Sequence, residues 1–248
     1  GAQFWLIFGL IMFLVILLIS TFYTTLILPL FNKLSPLEAG ELKTRIEQLA
    51  RETSFPLSGV YVMNASKRSK KSNAFFSGLG GFKKIVLFDT LIKNHPVDEI
   101  TAILAHEIGH YKGHHIRYNS ILSALSIFIP LAIFAFVVNA RSLSLALGAA
   151  DLQVHINIFA FFLLYEPLSL LMNIGANKIS RRFEYEADAY AVRATNPDSM
   201  GRALKRLFAD NLSDLYPHPL HVFVNYSHPP LLARLKAIEA VQGGMVRS

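Results

Sequence analysis

From Gly1 to Phe31 the chain carries no charged residue, and the stretch Phe4 to Leu28 would span roughly 37 Å as a helix, more than the ~30 Å hydrocarbon core of a bilayer. A second uncharged run, Ser120 to Ala140, is interrupted only by Pro130, which a membrane helix tolerates. A third, Leu152 to Asn177, holds one acidic residue, Glu166, followed by Pro167. Each run reads as a transmembrane helix, and 52% hydrophobic residues with a mean hydropathy of +0.39 exceed what an ordinary soluble domain carries. An ionisable group at the depth of Glu166 points either to a functional, chamber-facing position or to a bystander beside an aqueous cavity.

Lys and Arg are frequent between Phe31 and Asn119 and again from Lys178 onward, whereas the 141–151 connection holds only Arg141. By the positive-inside rule the two basic segments face the cytosol and the N-terminus lies outside. The same distribution explains the net charge of +7 without nucleic acid, because basic residues flank apolar runs and alternate with acids instead of forming a dense patch. Gly1-Ala2 in place of an initiator Met suggests a fragment or processed product, and no cleavable signal is recognisable. With no cysteine in the chain, any metal must be held by histidine and carboxylate.

Between the first two runs the patterning is that of a mixed domain. Ser35-Pro36-Leu37-Glu38 predicts a capping box with proline at the first helical position, leading a helix whose apolar stripe is Leu42, Ile46, Leu49 and Ala50. Short β-rich runs follow, at Val60–Met63, Asn73–Phe76 and Ile85–Phe88, separated by the basic loop 67–71 and by Gly78-Leu79-Gly80-Gly81. A further helix starts near Pro96, with Asp98 and Glu99 in its first turn where carboxylates suit the helix dipole.

That helix carries His106-Glu107-Ile108-Gly109-His110. Residues four apart share a helix face, so His106 and His110 can address one ion while Glu107 lies about a quarter-turn away. This is the H-E-x-x-H arrangement, in which two histidines hold Zn²⁺ and a carboxylate beside the ion, but not bound to it, takes a proton from water. Taken alone, the motif could also be a helix end with scattered histidines, and a third ligand must decide. Directly after the third apolar run, Ser180 to Ala191 reads as a helix continuing out of the membrane, with Glu184 and Asp188 on one face. Glu184 can be the carboxylate ligand and Asp188 can accept the free N–H of a ligand histidine, as in the E-x-x-x-D companion of thermolysin-like proteases. Glu186 competes less well as ligand, because four residues on from it stands Tyr190, which offers no carboxylate.

Taken together, these motifs resemble the type I CAAX prenyl endopeptidases, integral-membrane zinc proteases related more distantly to the HtpX quality-control proteases. The matching runs are Leu28–Phe31, Asn64–Ser69 with Ser72–Ala74, Ile85–Leu91, His106–His110, Ser180–Ala191 and Tyr226–Leu235. The chain departs from the family in carrying Tyr111 where members have Trp, Glu186 where they have Gln, and three apolar runs where the family has seven membrane helices around a chamber.

The resemblance implies a mainly α membrane protein with a thermolysin-like (gluzincin) α+β zinc domain and a small sheet. One Zn²⁺ is held by His106, His110 and Glu184, Glu107 acts as general base, and His228 and Asn73 steady the substrate and its developing oxyanion. By spacing alone His228 would be a turn residue before two prolines and Asn73 a turn before a strand. Residues 1–31 then form one membrane helix, 32–119 the first part of the protease domain, 120–177 two membrane helices, and 178–248 the second part. The implied substrate is a prenylated C-terminal C-a-a-X segment, at the endoplasmic reticulum or bacterial inner membrane with the catalytic part facing the cytosol. An HtpX-like protease without prenyl requirement, or a metal that merely braces the helices, are the alternatives. His114, His115, His155, His218 and His221 read as structural or surface residues.

Overall fold

The computed structural model describes residues 4–22, 28–67, 69–77 and 83–246. In chain order they form α1 (Phe4–Phe22), α2 (Leu28–Phe31), β1 (Leu34–Pro36), α3 (Glu41–Glu52), β2 (Leu57–Met63), β3 (Ala74–Ser77), β4 (Lys83–Phe88) and α4 (Asp89–Asn94). Then come α5 (Val97–Lys112), α6 (His115–Val137), α7 (Arg141–Ala146), α8 (Val154–Ala194), α9 (Pro197–Asp210), α10 (Pro219–Asn225) and α11 (Leu231–Val246). The helices dominate, with one small sheet among the described residues.

The sheet has the order β1-β2-β4-β3, with β2 and β4 parallel and the outer strands antiparallel to their neighbours. Ile85, Val86 and Leu87 are buried in succession, the pattern of a strand covered on both faces. β3 is left at the edge. Leu34–Pro36 corrects the expected capping box: the segment pairs with β2 in the register Leu34↔Met63 to Pro36↔Tyr61, and α3 begins only at Glu41, after Gly40. The backbone groups that a cap would have satisfied are taken by the sheet, and proline, lacking a donor, is tolerated at the end of an edge strand.

The expected stripe of α3 buries Ile46, Leu49 and Ala50 against the sheet and α5. From Glu99 to His106, α5 is buried all round, which marks it as the central helix. Its largest neighbour is the C-terminal part of α8, with Ala191 and Val192 in the core, and Met200 and Leu204 of α9 and Leu231 and Ile238 of α11 closing the layer.

Among the described residues two helices, α6 and α8, are long and apolar enough to cross a membrane. Few residues of their apolar stretches are buried, and Phe136 of α6 and Phe162 and Leu171 of α8 are exposed. α1 packs on α6 through Gly9, where a Cβ would stand 2.9 Å from both Leu131 and Phe128. Small residues permit such close helix approach in lipid. Residues 23–27, which the reading of a first membrane helix through Leu28 includes, and the Gly78–Gly81 turn lie outside the described residues. The expected 141–151 connection contains the short α7, closed by an Arg141–Asp151 pair at 2.7 Å. Asn157, fully buried, donates to the carbonyls of Val138 and Ala140 and so ties this connection to α8. Glu166 is exposed on the surface of α8.

Candidate metal centre

α8 runs without interruption from the apolar run through Ala194, so one helix carries both the long apolar stretch and the acidic pair Glu184 and Asp188. It crosses α5 at a point where neither helix has a side chain in the way. A Cβ on Gly109 would lie 2.9 Å from the Ala187 Cα and 3.1 Å from its carbonyl oxygen, both backbone atoms that cannot swing aside. Gly109→Ala is therefore expected to force the helices apart and to cost about 1–3 kcal/mol, as overpacking of a filled core does. A melting temperature unchanged from wild type would contradict the close packing described.

At this crossing the Nε2 atoms of His106 and His110 stand 3.1 Å apart. Glu184 places Oε1 3.4 Å from His110 Nε2 and Oε2 3.7 Å from His106 Nε2. Three donor atoms, one from each residue, fall within 4.8 Å of one another. Ligands bound tetrahedrally at 2.0–2.1 Å are about 3.3 Å apart, so these spacings suit one Zn²⁺-sized ion, and two nitrogens with one carboxylate are a donor set that zinc takes. Glu107 is not among the converging donors.

His106 Nδ1 is 2.8 Å from Asp188 Oδ1. An ionised carboxylate only accepts, so His106 donates from Nδ1 and keeps the Nε2 lone pair for the centre. Behind Asp188 and Glu184 lies Arg234 of α11, itself buried at 6% exposure. Its Nε and Nη2 donate to the two Asp188 oxygens at 2.8 and 2.6 Å, and Nη1 is 3.2 Å from Glu184 Oε2. Burial works to raise the Glu184 carboxyl, yet His110, His106, Arg234 and His228 together hold it down at about 2. Asp188 is likewise lowered, against its burial, by Arg234 and His106. Glu107 moves the other way: its recess in the protein pushes its carboxyl above the ordinary range despite His106 and His110 beside it.

These groups open onto a cleft of about 430 Å³. β3 and Asn73 form one wall, Met200, Leu204 and Leu207 of α9 another, and His228 stands at the rim. His228 Nε2 is 3.4 Å from Glu184 Oε1, and Ser227 Oγ is 3.0 Å from its Nδ1. Asn73 caps the start of β3, its side-chain oxygen accepting from Ala74 N at 2.8 Å. Buried Ser72, one residue earlier, donates to Asp210 at the end of α9 at 2.6 Å, which clamps the strand to the opposite wall.

The structure thus brings Asn73, His106, Glu107, His110, Glu184 and His228 to one cleft, with Asp188 directly behind. Two further residues belong to the centre. Arg234 sits three residues after Leu231 and four before Ile238, both core residues, so its place on an apolar stripe was the available signal. His115, read from the sequence as structural or surface, is 2% exposed and its Nδ1 is 2.9 Å from His110 Nδ1. Five residues apart and on different helices, the two offer no periodicity that would have linked them. His218, in contrast, caps α10 by accepting from Leu220 N at 3.2 Å, and His221 packs on Tyr226.

A histidine pair one helical turn apart, a glutamate from a second helix and a free carboxylate beside them are the arrangement of the metallopeptidases. Residues 36–242 match the family described as Peptidase family M48, and the chain belongs to that family. It is 41% identical over 92% of its length to the CAAX prenyl protease 1 homolog of Arabidopsis thaliana, covering 54% of that protein. It is 39% identical to CAAX prenyl protease 1 of Saccharomyces cerevisiae, over 93% of this chain and 54% of the relative. The crystal structure of S. mikatae Ste24p superposes with a TM-score of 0.83 at 39% identity, over 95% of this chain and 58% of that one. The chain spans about half the length of the curated relatives it matches.

Proposed function

We propose that the chain is the zinc-binding part of a membrane-embedded endopeptidase that removes the last three residues of prenylated C-a-a-X proteins. The observation that carries this reading is the convergence of His106, His110 and Glu184 beside a carboxylate, Glu107, that stays out of the donor set. A purely structural site needs ligands but no general base. The substrate class is supported by the CAAX prenyl protease relatives, and the cytosolic placement by the abundance of Lys and Arg in 31–119 and from Lys178 onward against the single Arg141 in the 141–151 connection.

Zinc held by His106, His110 and Glu184 would supply Lewis-acid polarisation of the scissile carbonyl and acidify water at the site. Glu107 accepts the proton of the attacking water and passes it to the leaving amine. The β3 edge offers its free backbone groups to an extended peptide, as sheet edges do. His228 and Asn73, both lining the cleft, donate to the oxyanion as it develops. The membrane-length helices α6 and α8 lead directly into this site, α6 beginning at His115 and α8 carrying Glu184, so an isoprenoid anchored in the bilayer would bring its peptide within reach.

The decisive assay compares a farnesylated C-a-a-X peptide with its unprenylated twin, cleaved by this chain and by the same chain extended to its relatives' length. Cleavage of the farnesylated peptide alone is expected. Equal cleavage of both would move the reading to an HtpX-like quality-control protease, and zinc binding without cleavage by either protein would leave the metal as a brace. Glu184→Gln, assayed by metal analysis after dialysis, is expected to lose zinc, since an amide supplies no negative charge to the ion; wild-type stoichiometry would remove Glu184 from the donor set.

A further inference from the structure

The two histidines of the centre each have a second ring nitrogen that must be accounted for. His106 Nδ1 is settled by Asp188. His110 Nδ1 meets no carboxylate, but another imidazole nitrogen, Nδ1 of His115, at 2.9 Å. We propose that His115 is the positioning residue for His110: it accepts the Nδ1–H of that ring, and Glu186 holds it in the tautomer that can do so. The inference rests on the reading of His106, His110 and Glu184 as the metal-binding set.

The assignment follows from proton counting. A neutral imidazole has one N–H and one lone pair, so two ring nitrogens at hydrogen-bond distance that do not share a metal ion require one to donate and the other to accept. Glu186 Oε2 is 3.2 Å from His115 Nε2, and a carboxylate can only accept. The proton of His115 is therefore on Nε2 and its lone pair on Nδ1. His110 must donate from Nδ1, which leaves the His110 Nε2 lone pair directed at the centre, 3.1 Å from His106 Nε2. The two histidines reach the same state by different routes, one through a carboxylate and one through a second histidine.

The relay is built to hold still. Glu186 uses its other oxygen to accept from Arg182 Nε at 2.7 Å. The His115 ring stacks on Phe183, with centroids 4.1 Å apart and planes 11° from parallel. Its position depends on the turn between α5 and α6, where His114 takes a left-handed φ of 56° and Gly113 has no side chain; a Cβ on Gly113 would run into the His115 ring.

The test is zinc affinity of the metal-stripped protein, measured by competition with a chelating dye and with no peptide present. His115→Phe keeps the stack on Phe183 but removes the acceptor, and is expected to bind zinc 10–100-fold more weakly, the usual effect of removing a ligand's hydrogen-bond partner. His115→Asn, whose amide oxygen falls near the place of Nδ1, is expected to recover most of that loss, with the melting temperatures of the metal-free forms alike. Glu186→Ala is expected to fall between the two. Wild-type affinity in His115→Phe, or no advantage of Asn over Phe, would overturn the proposal. Should His115→Phe fail to fold, Glu186→Ala, at a half-exposed position, decides alone: unchanged affinity overturns the relay. A wild-type protein that takes up no stoichiometric zinc would overturn the metal reading itself and this inference with it.

Discussion

Glu107→Gln is expected to keep its full complement of zinc and to lose peptide cleavage by about 10²–10⁴-fold, the span that a positioned general base contributes. The two halves of this result have separate causes. Zinc is retained because the converging donors belong to His106, His110 and Glu184, and Glu107 contributes none of them. Cleavage is lost because glutamine has the shape of glutamate but cannot take up a proton. Burial pushes the Glu107 carboxyl above its ordinary range. Metal analysis beside a peptide assay reads both quantities on one preparation. Zinc lost together with activity would make Glu107 a ligand, and activity preserved at wild-type level would end its role as base.

Replacing Arg234 by Met should destabilise the protein by about 3–5 kcal/mol, the cost of leaving buried charge without its partner. Arg234 binds both Asp188 oxygens and lies 3.2 Å from Glu184, and all three side chains are at most 7% exposed. Removing the guanidinium leaves buried Asp188 with His106 as its remaining partner and takes from Glu184 one of the positive neighbours that hold it ionised. For a chain of this size the loss corresponds to a fall of roughly 6–20 °C in melting temperature. The companion measurement is Arg234→Met with Asp188→Asn, which removes one of the carboxylate charges. It should recover part of the loss, because residues in one ion-pair network are not additive. A double variant that melts at the sum of the single effects would show that Arg234 acts through its packing alone.

Much of the centre could be read from local spacing. His106 and His110 share a face because helix periodicity puts them there, and the same holds for Glu184 and Asp188. The apolar runs were legible for a similar reason, since length and absence of charge are properties of a contiguous segment, and α6 and α8 occupy the expected stretches. The runs at Val60–Met63, Asn73–Phe76 and Ile85–Phe88 fall on β2, β3 and β4, although β2 begins earlier, at Leu57, and β4 earlier, at Lys83.

What local pattern could not supply was partnership across the chain. Ser35-Pro36 has the residues of a helix cap, and only the presence of β2 alongside turns it into a strand. His115 looks like one more histidine at a helix end until the turn at Gly113 and His114 folds its ring back onto His110. Arg234 is a lone charge at the spacing of an apolar stripe, and it becomes a buried counter-ion because α11 packs where two carboxylates of α8 need charge. The sequence by itself determined the donors, their spacing and the membrane-length helices, because those follow from the repeat of a single element. The tertiary structure decided which lone pairs point inward and what neutralises the acids behind them. Both depend on how closely α5 and α8 approach at Gly109 and Ala187, a distance that no repeat within either helix encodes.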